Sequence, residues 1–292
     1  MKKTFFAVTM ALLLFVSGAV AMAQDQASKA PKPAEIKKEE KNNVKIQLIR
    51  NATMKITYAG QTILTDPMFS EKGAMDPFVG IARNPTVELP MKVNEILNGV
   101  DGVLVSHDHP DHFDKAASET IPKDMLILCQ PGDETKRKKE GFSNVVAVEA
   151  SHMWKKIKIS RTGGKHGSGK ILEFMGKVSG FVLQADGEPT VYWVGDSILC
   201  EEVEKAIEKF NPDIIITHSG GATIPGNQPI IMDAAQTLNV VNEASKATVV
   251  AIHTESLDHC TVTRKNLRQL ADKAGISASK LIIPNDGEII SF

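Results

Sequence analysis

From Val44 onward, apolar and polar residues alternate through VKIQLIR and again through TMKITY, with a Gly-containing turn at Ala59-Gly60 before QTILTDP. Side chains on a strand point to opposite faces with period two, so this opening predicts two or three strands of a meander. Residues 67–90 lack periodicity and are rich in Pro and Gly, which suits a lid or rim. After a short helix at Val93 to Leu97, the apolar run GVLVS at 102–106 predicts a buried strand.

Further along, apolar strands are expected at 125–129, 145–149, 178–184, 190–195, 213–217 and 248–252. Amphipathic helices are expected at 133–140, 201–210, 231–245 and 263–274, the last with Thr263 to cap its start and Gly275 just past its end. Strands alternating with helices predict an α/β layer architecture, and hairpin-like pieces at both ends predict mixed sheets. One such piece is Asn285-Asp286-Gly287, a turn signal leading into EIISF. No internal repeat at a fixed period is visible in the sequence.

The segment before Val44 follows other rules. Lys2 and Lys3 precede the apolar run Phe5 to Val16, and Ala21-Met22-Ala23 supplies a small-x-small cleavage pattern, so residues 1–23 read as a signal peptide cut before Gln24. Ser17-Gly18 interrupt the run, which is too short for a retained membrane span. Residues 24–43 are Ala-, Pro-, Lys- and Glu-rich and read as a flexible linker, leaving one compact domain at 44–292. The expected location is therefore outside the cytoplasm, periplasmic or secreted.

Charge narrows the partners. The 292 residues hold 34 Lys+Arg against 35 Asp+Glu, a formal −1; loss of Lys2 and Lys3 with the leader leaves 32 against 35, or −3. Such a chain offers no basic face to neutralise many phosphates, so nucleic acid is not an expected partner. Three cysteines, at 129, 200 and 260, cannot all pair internally and read as buried thiols.

The chemistry concentrates in Ser106-His107-Asp108-His109-Pro110-Asp111-His112, directly after the strand GVLVS. In an extended stretch His107 and His109 point the same way, and a turn at Pro110 presents Asp111 and His112 next. Imidazole and carboxylate are ligands for zinc, iron and manganese, and one such loop can serve two adjacent sites. His152 after NVVAVEAS, Asp196 after TVYWVG and His253 after TVVAI each sit at the end of an expected strand, where α/β sites collect. His166, in the glycine-rich run RTGGKHGSGK, competes with His152; His152 is placed first because a strand end fixes geometry better than a glycine loop. His218, at the end of DIIIT, reads as substrate-facing or as support for a ligand. His259, between Asp258 and Cys260, reads as a proton carrier or as a partner in a local hydrogen bond.

HDHPDH resembles the HxHxDH signature of the metallo-β-lactamase fold superfamily, and the order His152, Gly195-Asp196, His253 is similar to its later motifs. IRNATMKITYAGQTILTDPM resembles the first strands of that family, so the likeness spans residues 44–292. It implies a four-layer αββα sandwich of two mixed β-sheets flanked by helices, with a dinuclear site at one edge. It further implies that His107, His109 and His152 hold one metal, that Asp111, His112 and His253 hold the other, and that Asp196 bridges them. Asp66 would orient the ligand loop. Among subgroups the chain looks closest to the lactonase and N-acyl-phosphatidylethanolamine phospholipase-D-like branch, on ASH at 150–152, VYWVGDS and AIHTESLDHC.

The implied activity is that of an exported hydrolase using two divalent ions, zinc before manganese or iron, to activate water against an ester, lactone or phosphodiester. Asp111 and Asp196 are the expected catalytic carboxylates, and the substrate is a small or lipid-like molecule. The alternative is a metal- or ligand-binding protein that keeps the fold without turnover. Gly164 to Lys170 satisfies GxxxxGK, but Ile171 stands where a nucleotide site requires Ser or Thr, and a strand rather than a helix is expected to follow. The lysines at 155, 156, 158, 165 and 170 with Arg161 read as a solvated hairpin or a basic flap. Substrate specificity is expected to lie in residues 67–90 and 153–177.

Overall fold

The computed structural model describes residues 44–292; the expected signal peptide and linker lie outside the described residues. Among the described residues, fourteen strands form two seven-stranded sheets. The first holds β1 (Lys45–Arg50), β2 (Thr53–Tyr58), β3 (Gln61–Thr65), β4 (Gly102–Val105), β5 (Ile127–Cys129) and β6 (Val145–Ala147). The second runs in chain order through β7 (Ser151–Trp154), β8 (Ile157–Thr162), β9 (Gly180–Gln184), β10 (Val191–Trp193), β11 (Ile214–His218), β12 (Thr248–Ile252) and β13 (Leu281–Ile282). The chain then returns to the first sheet, where β14 (Ile289–Ser291) pairs antiparallel with β1.

Both sheets are mixed in the same way. The meander β1-β2-β3 is antiparallel and β4, β5 and β6 follow in parallel. Likewise β7 to β10 are antiparallel neighbours and β11, β12 and β13 continue in parallel. Parallel neighbours need a crossover, and helices supply several of them. These are α1 (Val93–Leu97), α2 (Lys115–Thr120), α3 (Glu134–Lys139), α4 (Ile171–Met175), α5 (Glu201–Phe210), α6 (Ala234–Glu243) and α7 (Arg264–Lys273).

Period-two alternation sorts the strand residues into three apolar layers. Ile46, Leu48, Leu104, Ile214, Ile216, Val250 and Ile252 meet in a core shared by the two sheets. Their chain neighbours point away from it. Val103 and Val105 pack with Ile96, Ala117 and Ile121 under α1 and α2, whereas Ile215, Val249 and Ala251 pack with Val203, Val240 and Leu267 under α5, α6 and α7. Three apolar layers separate four layers of structure, which is the αββα sandwich expected. Tyr58 ties the sheets together, its buried hydroxyl donating toward the carbonyls of Leu183 at 3.1 Å and Pro189 at 2.9 Å.

Two expectations fail between residues 150 and 177. The strand at 145–149 stops at Ala147, and the chain crosses to the second sheet, where β7 and β8 form an edge hairpin with Lys155 in the left-handed region at φ +55. After GxxxxGK the short helix α4 forms where a strand was expected, the strand beginning only at Gly180. Residues 67–90, by contrast, form no regular element beyond a Met75–Asn84 bridge, as a rim should. No helix among the described residues is long and apolar enough to cross a membrane.

Candidate metal centre

The sheet-edge segments following β4, β8, β10 and β12 converge. His107, His109 and His166 form one group of potential ligand atoms, and Asp111, His112, Asp196 and His253 form a second; within each group the atoms lie within 4.8 Å of one another. Asp196 Oδ2 lies between the groups, 3.1 Å from His112 Nε2, 3.3 Å from His166 Nε2 and 3.9 Å from His107 Nε2. Its Oδ1 is 3.6 Å from His253 Nε2, and Asp111 Oδ2 is 3.2 Å from His112 Nε2 and 3.3 Å from His253 Nε2.

His152 is not among these donors, which corrects the expected ligand set. It sits on β7 opposite Ile159, on an edge strand committed to hairpin pairing, while the turn after β8 delivers His166. The glycines of that turn serve close packing. A Cβ on Gly164 would meet Ser197 at 2.9 Å, and one on Gly167, at φ +104, would meet Ile171 at 2.7 Å. Lys165 N donates to Ser197 Oγ and Lys165 O accepts from Ile198 N, both at 2.9 Å, so the residue before His166 is pinned to the segment carrying Asp196. His166 Nδ1 pairs with the Ile230 carbonyl at 2.9 Å, which leaves Nε2 for the centre.

Asp66, which the resemblance implied as a support for the ligand loop, ends the meander beside that loop. Its carboxylate accepts from Ser106 N at 2.7 Å, from Ser106 Oγ at 2.6 Å and from His112 Nδ1 at 2.6 Å. Ser106 Oγ also lies 2.9 Å from His107 Nδ1 and so links Asp66 to His107 as well. Asn51 was missed: its amide donates to the Asp111 carbonyl at 3.2 Å, and its own carbonyl accepts from His253 N at 3.1 Å. Ser106 opens the ligand segment without being a ligand type, and Asn51 lies outside it. Only the fold places Asn51 between two ligand loops.

His218 does not line the cavity described below. It is fully buried, its Nδ1 2.5 Å from Asp196 Oδ1 and its Nε2 accepting from Trp193 Nε1 at 2.9 Å. Asp196 itself is no helix cap, since α5 begins at Glu201 after Cys200. His259 lines the cavity beside the centre, edge-on to Phe78 with ring centroids 5.1 Å apart. Its Nδ1 is buried with no hydrogen-bond partner.

The electrostatics suit cations. Burial alone would raise the carboxyls of Asp111 and Asp196, yet the imidazoles of His112 and His253 hold both well below the usual carboxylate range. Burial, helped by neighbouring His112, lowers His107 well below its ordinary value, and burial brings His166 down to about 4; both present lone pairs. His253 Nε2 is buried without a hydrogen-bond partner, a costly state unless a further group completes it. Imidazoles and carboxylates around an orphaned ring nitrogen match the donor preference of a divalent transition metal, so the residues present fit one.

A cavity of about 420 Å³ opens over this floor. His109, Asp111, His166 and Asp196 line it on one side, and Phe78, Phe174, Met175, Ile224 and Ile230 form much of the rest. No Lys or Arg lines it, so the lysines at 155, 156, 158, 165 and 170 and Arg161, read as a solvated hairpin or a basic flap, do not form its walls.

The family described as "Beta-lactamase superfamily domain" matches residues 61–254. The chain belongs to the β-lactamase superfamily. It is a metal-dependent hydrolase of the metallo-β-lactamase fold, in agreement with its similarity to "UPF0173 protein YddR" of Bacillus subtilis (strain 168), 34% identical over 85% of this chain and 99% of that one. Among solved structures it is similar to an isothiocyanate hydrolase from Delia radicum gut bacteria, 37% identical with a TM-score of 0.80 over 85% of this chain and 98% of that one. A "possible metal-dependent hydrolase" from Veillonella parvula DSM 2008 superposes with a TM-score of 0.83 at 33% identity, over 86% of this chain and all of the other. The superfamily explains why seven donors from four separate segments meet here.

Proposed function

We propose that this superfamily member hydrolyses small, uncharged, largely apolar electrophiles with a metal-activated water, isothiocyanates first and esters or lactones next. One observation carries the reading: four of the seven potential ligand residues, His109, Asp111, His166 and Asp196, line a cavity whose other walls are mainly apolar and hold no Lys or Arg. A phosphodiester would leave its anionic oxygens without a cationic side chain there, so it ranks below neutral substrates. The isothiocyanate hydrolase that superposes on this chain supports the cumulated carbon as the target.

His107, His109 and His166 would hold one ion and Asp111, His112 and His253 the other, with Asp196 between them. Divalent ions held there, zinc before manganese or iron, would supply Lewis-acid activation of water near neutral pH and polarisation of the bond under attack. Asp196 and Asp111, the two ligand carboxylates that also line the cavity, would take the proton of the attacking water. The apolar walls hold the organic group and exclude bulk water from the reacting carbon. Net hydrolysis of R–N=C=S by one water gives the amine R–NH2 and carbonyl sulfide.

The test is metal analysis of the purified protein, followed by assays with benzyl isothiocyanate, p-nitrophenyl butyrate, a lactone and bis-p-nitrophenyl phosphate. Metal-dependent release of amine or acid from the neutral compounds is expected, with His109→Ala inactive. Equal turnover by His109→Ala and its parent would refute the reading. Loss of turnover on all four by a metal-loaded parent would instead favour a binding protein. Export also belongs to this proposal, supported by the leader pattern at residues 1–23, and N-terminal sequencing of the mature chain checks it.

A further inference from the structure

Residues 78–84 of the aperiodic rim converge on one carboxylate. Asp258 accepts the backbone N–H groups of Phe78 at 3.0 Å, Val79 at 3.2 Å, Ile81 at 3.1 Å and Ala82 at 3.4 Å. Gly80, at φ +77, makes the bend that aims these donors inward. The Asn84 amide donates to Asp258 Oδ1 at 2.9 Å and its Oδ1 accepts from Asp258 N at 2.8 Å. Two residues on, Thr86 N and Thr86 Oγ1 donate to the carbonyls of Ser256 at 2.8 Å and Glu255 at 2.6 Å.

The strap thus lies along residues 255–258, just past His253, and its purpose is visible at Phe78. That ring meets the next residue after the anchor, His259, edge-on at 5.1 Å and 82°, and both line the cavity over Asp111 and Asp196. Ile81 is 78% exposed and Ala82 is exposed as well, so the strap contributes little to the apolar core. A carboxylate collecting five donors at such a place organises a surface wall and leaves the core to others.

We propose that Asp258 is a positioning residue for substrate selection: through the strap it holds Phe78 against His259 as one wall of a slot for the uncharged, apolar group of the substrate. Phe174, Met175, Ile224 and Ile230 complete the slot. The inference rests on the hydrolase reading for what happens at the metal end, and its test uses binding as well as turnover.

The experiment compares the metal-loaded parent, Asp258→Ala and Phe78→Ala. Titration calorimetry with acetohydroxamate and octanohydroxamate reads the slot without turnover, and amide exchange reads the strap. The parent should bind the longer compound tighter by about tenfold or more, given the burial of several methylenes. Both variants should lose most of that preference with metal content unchanged, and Asp258→Ala should lose exchange protection at residues 78, 79, 81 and 82 while β11 and β12 keep theirs. A parent without chain-length preference, or an Asp258→Ala protein that retains both preference and protection, would overturn the proposal. An Asp258→Ala chain too unstable to purify leaves Phe78→Ala to decide by the same ratio. A parent that selects chain length yet turns over no substrate would sink the hydrolase reading and leave the slot standing.

Discussion

Asp196 and His218 share a 2.5 Å hydrogen bond in which the donor can be named. Trp193 Nε1 can only donate, so His218 Nε2 accepts from it and the ring proton sits on Nδ1, directed at Asp196 Oδ1. Burial lowers His218, in keeping with a neutral ring. This chain orients the carboxylate placed between the two ligand groups, and partners of metal ligands commonly matter about 10- to 100-fold in metal affinity or activity. His218→Ala should weaken metal retention by about that factor. Trp193→Phe, which frees the His218 tautomer while keeping the ring, should have a smaller effect in the same direction. Competition with a chelator measures both, and unchanged affinity in His218→Ala would count against the arrangement.

The exchange of His152 for His166 is equally testable. His166 Nε2 is 3.3 Å from Asp196 and the residue is buried, whereas His152 lies on the edge hairpin. His166→Ala should lose about one equivalent of metal and most of its activity. His152→Ala should keep the metal content and activity of the parent and change thermal stability little. Elemental analysis of the two variants side by side decides it; a metal-depleted His152→Ala beside a replete His166→Ala would restore the ligand assignment that the sequence order implied.

Much of the centre was legible because its signals are local. HDHPDH, and the strand ends at Asp196 and His253, announce themselves through residue type and periodicity, whereas Asp66 was reached only through the family resemblance. His166 was ranked second because a glycine-rich run looks loose in sequence, although Gly164 and Gly167 are there to let backbones approach. Ser106, Asn51 and Trp193 carry no signal, since each acts on a residue distant in the chain or through a common side chain. The paired arrangement of the sheets, three antiparallel ladders followed by three parallel ones in each, also escaped notice. Topology repeats there, and the sequence has no fixed period to reveal it.

Arg137 and Asp108 couple α3 to the ligand loop. The Arg137 guanidinium is buried, pairs with Asp108 between His107 and His109, reaches Glu140 at 2.9 Å, and lies 4.1 Å over the Phe113 ring. Removing it takes the buried partner from two carboxylates, Asp108 and Glu140, and leaves a cavity beside Phe113. Lys136, 2.8 Å from Asp108, limits the loss. Arg137→Ala should therefore destabilise the fold by about 2–4 kcal/mol, within the range for breaking a buried pair. Denaturant titration measures this, and a loss below about 0.5 kcal/mol, the scale of an ordinary surface substitution, would exclude a structural role for the pair.

The anchoring of the rim by Asp258 carries a definite pH sign. Burial would raise this carboxyl, but the Asn84 amide and the backbone N–H groups of Ile81, Phe78 and Val79 outweigh it, and the pKa lies below the ordinary 3.8. A group depressed on folding contributes its stabilisation fully above its unfolded value and loses it as the pH falls through the folded one. The strap should hence stay fastened from neutral pH down to about 4 and loosen only below 3.8. Protection factors for the amides of Phe78, Val79, Ile81 and Ala82, measured between pH 6 and 3 and corrected for intrinsic exchange, should be flat and then drop. Asp258→Asn, with one oxygen and no charge, should show weaker protection that varies little over that range. If the parent instead loses protection between pH 6 and 5, a different group controls the rim, and the carboxylate is not what fastens it.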